Sequence, residues 1–293
     1  MIKIVLHCLP NEIDQVYWIV DQLTRSSRYI DPKKFILDFT LNVSDENVDW
    51  KKSLISKEYC TEKFNLAFLR SPFINQHKIS HEQTGCNTVR RNAIRCKDNT
   101  THIIYLDTDV IFPEWILYYM YQSITQVTNK YYIITPQLFQ LWDTSWDIIS
   151  HPNTRNVSRN KKQWLKDPYQ VFDTEIQEVK LIPIPIIKFG GGWFNMFNKQ
   201  LLELIDIPDS LGHYGMDDTY IVDVANMLKN VNLDIQQFVL NDIIVKEDRV
   251  YRTKTMDPFI VSNSKQSTLR DNSNIVYSNE IQKVKEKISN GTI

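Results

Sequence analysis

"THIIYLDTDVIF", residues 101–112, runs four apolar side chains, Ile103 to Leu106, straight into two aspartates one residue apart, Asp107 and Asp109. A strand with one face in water alternates polar and apolar residues; this stretch does not, so it reads as a central strand covered on both faces. In extended chain the two carboxylates project to the same side about 7 Å apart, and a slight turn brings their oxygens within reach of one ion. Carboxylates that close repel unless a proton or cation stands between them. Oxygen donors of this hardness favour Mg2+ or Mn2+ over zinc. The blander alternative is that Asp107 and Asp109 cap the helix beginning near Pro113 or line a solvated turn.

Working outward, residues 2–6 read as a strand, and 12–26 as a helix with Ile13, Val16, Tyr17, Val20 and Leu23 at helical spacing. Phe35, Leu37, Phe39 and Leu41 alternate as in a strand, and "NLAFLRS", residues 65–71, reads as another short one. A polar helix between Ser80 and Cys96 carries Arg90, Arg91, Asn92 and Arg95. Beyond the aspartates the pattern predicts a helix over 114–128, an extended "KYYIITPQL", an irregular 143–180, an extended "KLIPIPIIKFGGGWFNMF", helices near 198–205 and 220–228, and a late strand "FVLNDIIVKED". Strands separated by helices predict an α/β fold, a mainly parallel sheet with helices on both faces, with ligands at the carboxyl ends of its strands. From about Ser262 the chain turns polar, with one short charged helix, "NEIQKVKEKI". The expected organisation is one domain over 1–261 and an extension over 262–293.

Lys+Arg 34 against Asp+Glu 35 gives a formal charge of -1, which advertises neither nucleic acid nor a membrane surface as a partner. The opening "MIKIVLHCLPNEIDQ" lacks the pattern of a signal peptide. The most apolar stretch, "VIFPEWILYYMYQSITQV", falls short of the roughly 18–20 apolar residues a spanning helix needs. Cys8, Cys60, Cys86 and Cys96 show no CxxC spacing, so reduced thiols are expected, in a cytoplasmic protein.

A second constellation lies further on. Three of the seven glycines are consecutive, Gly190, Gly191 and Gly192, directly after an apolar run; such glycines let backbone approach a ligand closely. Trp193 and Phe194 follow, able to stack on a sugar face or to pack in the core. "HYGMDD", residues 213–218, then places Asp217 and Asp218 at the start of a helix. Aspartate is a preferred residue there for capping alone. A carboxylate at a pocket rim is also a base for a hydroxyl proton.

Taken together, Arg91-Asn92, the apolar strand ending in DxD some fifteen residues later, the following Pro113, the glycine-rich strand and the acidic pair resemble the GT-A fold glycosyltransferases, particularly the inverting group called family 2. The resemblance covers about residues 1–250. It implies a Rossmann-like mixed sheet, a nucleotide-sugar donor half over about 1–112, and an acceptor half over about 113–261 for a carbohydrate or lipid-linked hydroxyl. It implies Mn2+ or Mg2+ on Asp109 directly, with Asp107 on the donor ribose or a metal-bound water. Arg91 would help order the acidic cluster or the diphosphate. Pro10, in "HCLPNEID", and Asn42, at the end of the second strand, would face the donor, and Gly191, Gly192 and Trp193 the acceptor. One of the acidic pair would be the base of an inverting displacement: Asp218 if Asp217 matches the family's glutamate, the alignment preferred here, or Asp217 if Met216 does. No histidine follows the pair, so Glu247 or Asp248 would complete the metal shell, or Lys246 would supply positive charge itself. Two alternatives of other kinds are a haloacid-dehalogenase-like phosphohydrolase, which also uses DxD after a strand, and a non-catalytic carbohydrate-binding domain.

Overall fold

The computed structural model describes residues 1–51, 53, 55–73, 77–139, 178–186, 194–247 and 263–292. The chain opens with β1 (Ile2–Cys8), a 3-10 turn (Pro10–Glu12) and α1 (Ile13–Ser26), then β2 (Phe35–Asn42), α2 (Lys57–Phe68), β3 (His77–Ser80), α3 (Cys86–Arg95), β4 (His102–Leu106), the two-residue β5 (Val110–Ile111) and α4 (Ile116–Ile124). There follow β6 (Tyr131–Phe139), β7 (Leu181–Ile184), β8 (Phe194–Asn198), α5 (Lys199–Ile205), a 3-10 turn (Asp209–Leu211), α6 (Asp217–Asn230), β9 (Ile235–Glu247) and α7 (Asn263–Ser289).

One sheet joins these strands in the order β3-β2-β1-β4-β8-β6-β9-β5, with β7 also on β9. The first four strands in that order are mutually parallel, β4 and β6 flank an antiparallel β8, and β6 pairs parallel with β9. This is the α/β, mixed-sheet architecture expected. β4 is buried along its whole length, as its unbroken apolar run requires. Helices α1, α2 and α4 form one packed group; α3, α5, α6 and α7 form another.

Two elements differ from expectation. Residues 65–68 belong to α2 and not to a strand: Cys60, Phe64 and Phe68, four apart, are the residues α2 buries, a stripe that a short apolar window cannot separate from strand alternation. The terminal helix is also longer than "NEIQKVKEKI". α7 runs from Asn263 to Ser289 and packs on α6 and on the 209–211 turn, with Val284 buried in the core. Its polar first half disguised it in the sequence, because few of the residues there carry an apolar signal.

The parallel register places the carboxyl ends of β1, β2 and β4 at one rim. There the chain leaves β1 for Glu12, β2 for Ser44, and β4 for Asp107.

Candidate active site

Asp107 follows the last residue of β4, and Asp109 precedes β5; both side chains are half-buried. β5 then pairs with the far end of β9, Val110 opposite Glu247 and Ile111 opposite Lys246. That register brings the β9 backbone alongside the residue after Asp109. Asp248 lies outside the described residues, as do Gly190, Gly191, Gly192 and Trp193. β8 begins at Phe194, directly opposite Leu106.

The second acidic pair reaches this rim because α6 starts there. Asp217 and Asp218 occupy its first turn, where carboxylates are favoured by the helix dipole, after Met216 in the left-handed region at φ 64. The two acids then diverge. Asp217 is 4% exposed and accepts a 2.8 Å bond from Arg90 Nη1, while Arg90 Nη2 donates to Asp107 at 3.2 Å. Asp218 is half-buried, and its Oδ1 accepts from the Thr219 backbone N–H at 2.7 Å. Burial, reinforced by the charge of Asp217 and opposed by that of Arg90, pushes the Asp218 carboxyl up to about 6. Asp107 is likewise pushed up to about 6 by burial, against Arg90 and with Asp109 and the acidic pair.

Three contributors were not singled out in the sequence. The first is Arg90, which bridges the two acidic pairs and lies over the Tyr105 ring at 4.5 Å. Arg91, the residue expected near the acids, turns away: its guanidinium donates to the carbonyls of Ile207, Pro208 and Gly212. Helical phase explains the exchange. Thr88, Arg91 and Arg95 form one stripe of α3, and all three bind the 206–213 segment; Arg90, a hundred degrees round the helix, faces the rim.

The second is Glu12, whose oxygens accept from the Leu9 N–H at 2.7 Å and the Thr108 hydroxyl at 3.0 Å. Burial, with the nearby charges of Asp109 and Asp107, raises it to about 7 despite those two bonds. Its place two residues after Pro10 in "HCLPNEID" was the available signal. Pro10 itself is buried in the first turn of the 3-10 segment. The third is His7, at the end of β1, lowered to about 3 by burial and by the charge of Arg90. Its ring meets Tyr214 edge-on at 5.6 Å.

Asn42 is fully buried. Its amide donates to the Thr84 carbonyl and its Oδ1 accepts from the Ser44 N–H. The Thr84 carbonyl also accepts from Asn47 and Tyr214, so it ties the end of β2 to the start of α3 and to the loop before α6.

Asp107, Asp217 and Asp218 thus share the charge of Arg90, and Glu12 and Asp109 lie close enough to Asp107 to interact with it, an excess of negative charge that a cation relieves. No three His, Cys, Asp or Glu among the described residues form a ready metal cage. The chemistry of Asp107 and Asp109 fits Mg2+ or Mn2+ all the same, since such ions are held by one or two carboxylates with water and phosphate oxygens completing the shell.

The sequence matches no protein-family model and no curated protein. Among solved structures, it aligns with S. aureus TarS at TM-score 0.49 and 11% identity, over 87% of this chain and 38% of TarS. It aligns with the mannosyltransferase PcManGT from Pyrobaculum calidifontis, in complex with GDP-Man and Mn2+, at TM-score 0.49 and 12% identity, over 86% of this chain and 59% of that one. A third is glucosyl-3-phosphoglycerate synthase from Mycobacterium tuberculosis in complex with Mn2+, UDP and phosphoglyceric acid, at TM-score 0.44 and 13% identity, over 84% and 70%. The chain spans 38% of the TarS chain and 59% of the PcManGT chain, less than two thirds of either.

Proposed function

We propose that the protein is a metal-dependent glycosyltransferase that moves a sugar from a nucleotide-sugar donor to a hydroxyl of a carbohydrate or lipid-linked acceptor, with inversion. The observation that carries this reading is the convergence of two acidic pairs at one sheet rim, DxD at the end of β4 and Asp217-Asp218 at the start of α6, joined by Arg90. Asp109 and Asp107 are the residues for the cation, which when bound supplies positive charge to the diphosphate of the donor. Donor recognition falls to residues 1–112 and acceptor recognition to 113–261, with Gly191, Gly192 and Trp193 on the acceptor side.

Within the acidic pair, division of labour follows from partners. Asp217 is committed to Arg90, whose guanidinium occupies its carboxylate. Asp218 instead accepts from the Thr219 backbone N–H, and its raised value near 6 suits proton acceptance close to neutrality. Asp218 therefore takes the acceptor hydroxyl proton as that oxygen bonds to the anomeric carbon and the carbon–phosphate-oxygen bond breaks, the electron pair leaving with the nucleoside diphosphate. Arg90 holds Asp217 and Asp107 in fixed relation through the step.

Cys8, Cys60, Cys86 and Cys96 are all free thiols, which supports a reducing, cytoplasmic setting. No helix among the described residues is long and apolar enough to cross a membrane.

The test is a panel of nucleotide sugars screened by thermal shift with and without Mn2+, followed by release of free nucleotide. A true donor raises Tm by mass action only when the metal is present. Asp109→Asn abolishes the metal-dependent shift, whereas Asp218→Asn keeps it and loses turnover. Hydrolysis of simple phosphate esters in place of nucleotide-sugar turnover would assign the site to a phosphohydrolase.

A further inference from the structure

The acidic pair of α6 stands on a short loop with an unfavourable backbone. Gly212, Gly215 and Met216 all have positive φ, at 67, 88 and 64. Glycine accepts that region freely; Met216 does not, so its conformation persists only where the surroundings impose it.

The loop is gripped from two sides. On the α3 side, the Asn87 backbone N–H donates to the His213 carbonyl at 3.0 Å, and its side-chain amide donates to the carbonyls of Leu211 and Gly215. On the other side lies α7. The Ser273 hydroxyl, 7% exposed, donates to the Tyr214 carbonyl at 2.9 Å. A Cβ placed on Gly215 would stand 3.5 Å from the Ser273 oxygen, so the helix rests directly on this loop. Further along, the Ser210 hydroxyl donates to Glu280 at 2.8 Å, and the Tyr277 hydroxyl donates to Asp223 on α6.

We propose that α7 is part of the active site's supporting frame: a strap that holds the 212–216 loop in its strained form, with Ser273 a positioning residue for Asp218. The role in turnover rests on the function proposed above; the role in holding the loop does not. The physical reason is that each end of the loop can relax unless both walls remain, and only α7 supplies a donor to the Tyr214 carbonyl among the described residues. α7 places a buried hydroxyl on the backbone three residues before the acidic pair.

Two measurements on the full chain test this. Hydrogen exchange of the 213–220 amides is expected to quicken at least tenfold in Ser273→Ala, with the amides of β1 and β4 unchanged, and Ser273→Thr, which keeps the hydroxyl, is expected to restore protection. Turnover of UDP-N-acetylglucosamine and GDP-mannose with Mn2+ is expected to show a kcat at least tenfold lower in Ser273→Ala at unchanged donor KM, again restored by Ser273→Thr. Exchange in 213–220 equal to wild type overturns the strap. Faster exchange with unaltered kcat overturns Ser273 as a positioning residue. If wild type turns over no nucleotide sugar, the proposed function fails while the exchange result still decides the strap.

Discussion

Arg90 Nη1 lies 2.8 Å from Asp217 Oδ2, both side chains only 5% exposed. This buried pair spans 127 residues of sequence and locks α3 to the first turn of α6. Because the same guanidinium also binds Asp107 at 3.2 Å, one residue sets the spacing between the two acidic pairs.

Removing it leaves two carboxylates without their countercharge in a poorly solvated place. Arg90→Ala is expected to lower stability by about 3–5 kcal/mol, the usual result of breaking a buried pair from one side. Urea denaturation measures this. Arg90→Lys retains charge but not the two-pronged geometry, and so is expected to fall between the variant and wild type.

The rate should depend on pH through Asp218. A base acts when ionised, and its value stands at about 6; kcat/KM is therefore expected to rise with pH between about 5 and 7 and then level off. Asp107 ionises in the same range, so the profile is read at saturating Mn2+, where metal binding keeps that carboxylate deprotonated. A flat profile from pH 5 to 8 would remove Asp218 from the role of base.

Glu12 offers a stability test with a definite sign. Its value is raised from 4.5 to about 7, so the folded protein binds the proton more tightly than the unfolded chain. Between about pH 4.5 and 7 stability from this group grows as pH falls, and above 7 its ionised form opposes folding. Glu12→Gln should be more stable than the metal-free wild type at pH 8, by about 1–3 kcal/mol, and the advantage should shrink towards pH 4.5. Paired denaturation curves across that range check both the sign and the window.

Gly85, at the head of α3, has an extended backbone at φ -150, which any residue adopts. Space is what requires glycine there: a Cβ would collide with the His213 carbonyl and come within 2.7 Å of the Tyr214 ring. Gly85→Ala is expected to cost about 1–3 kcal/mol through overpacking, with the damage centred on residues 213–216. Denaturation together with exchange at those amides would show it; a neutral effect on both would mean the contact yields freely.

The strand into Asp107, the helix carrying Arg90 and Arg91, and the helix begun by Asp217 were legible in the sequence because each has a local cause. β4 is apolar throughout because it is covered on both faces, and α6 carries Tyr220, Ile221, Val224 and Leu228 on the face it buries. The end of α2 reads as a strand in sequence because Phe64 and Phe68 speak for a helix only when Cys60 is counted with them. The first half of α7 is polar in sequence, and a hydroxyl contact such as that of Ser273 leaves no periodic apolar trace.

By itself, the sequence determined the α/β class, the position of DxD at a strand end and the acidic pair at a helix start, since burial and helix initiation act over a few neighbouring residues. Tertiary structure alone decided that Arg90 and not Arg91 meets the acids, that Glu12 joins them, and that Asp217 is held while Asp218 is not bound by that arginine. Those outcomes depend on the rotation of α3 about its own axis and on where distant loops meet it, and neither is encoded within any short window of residues.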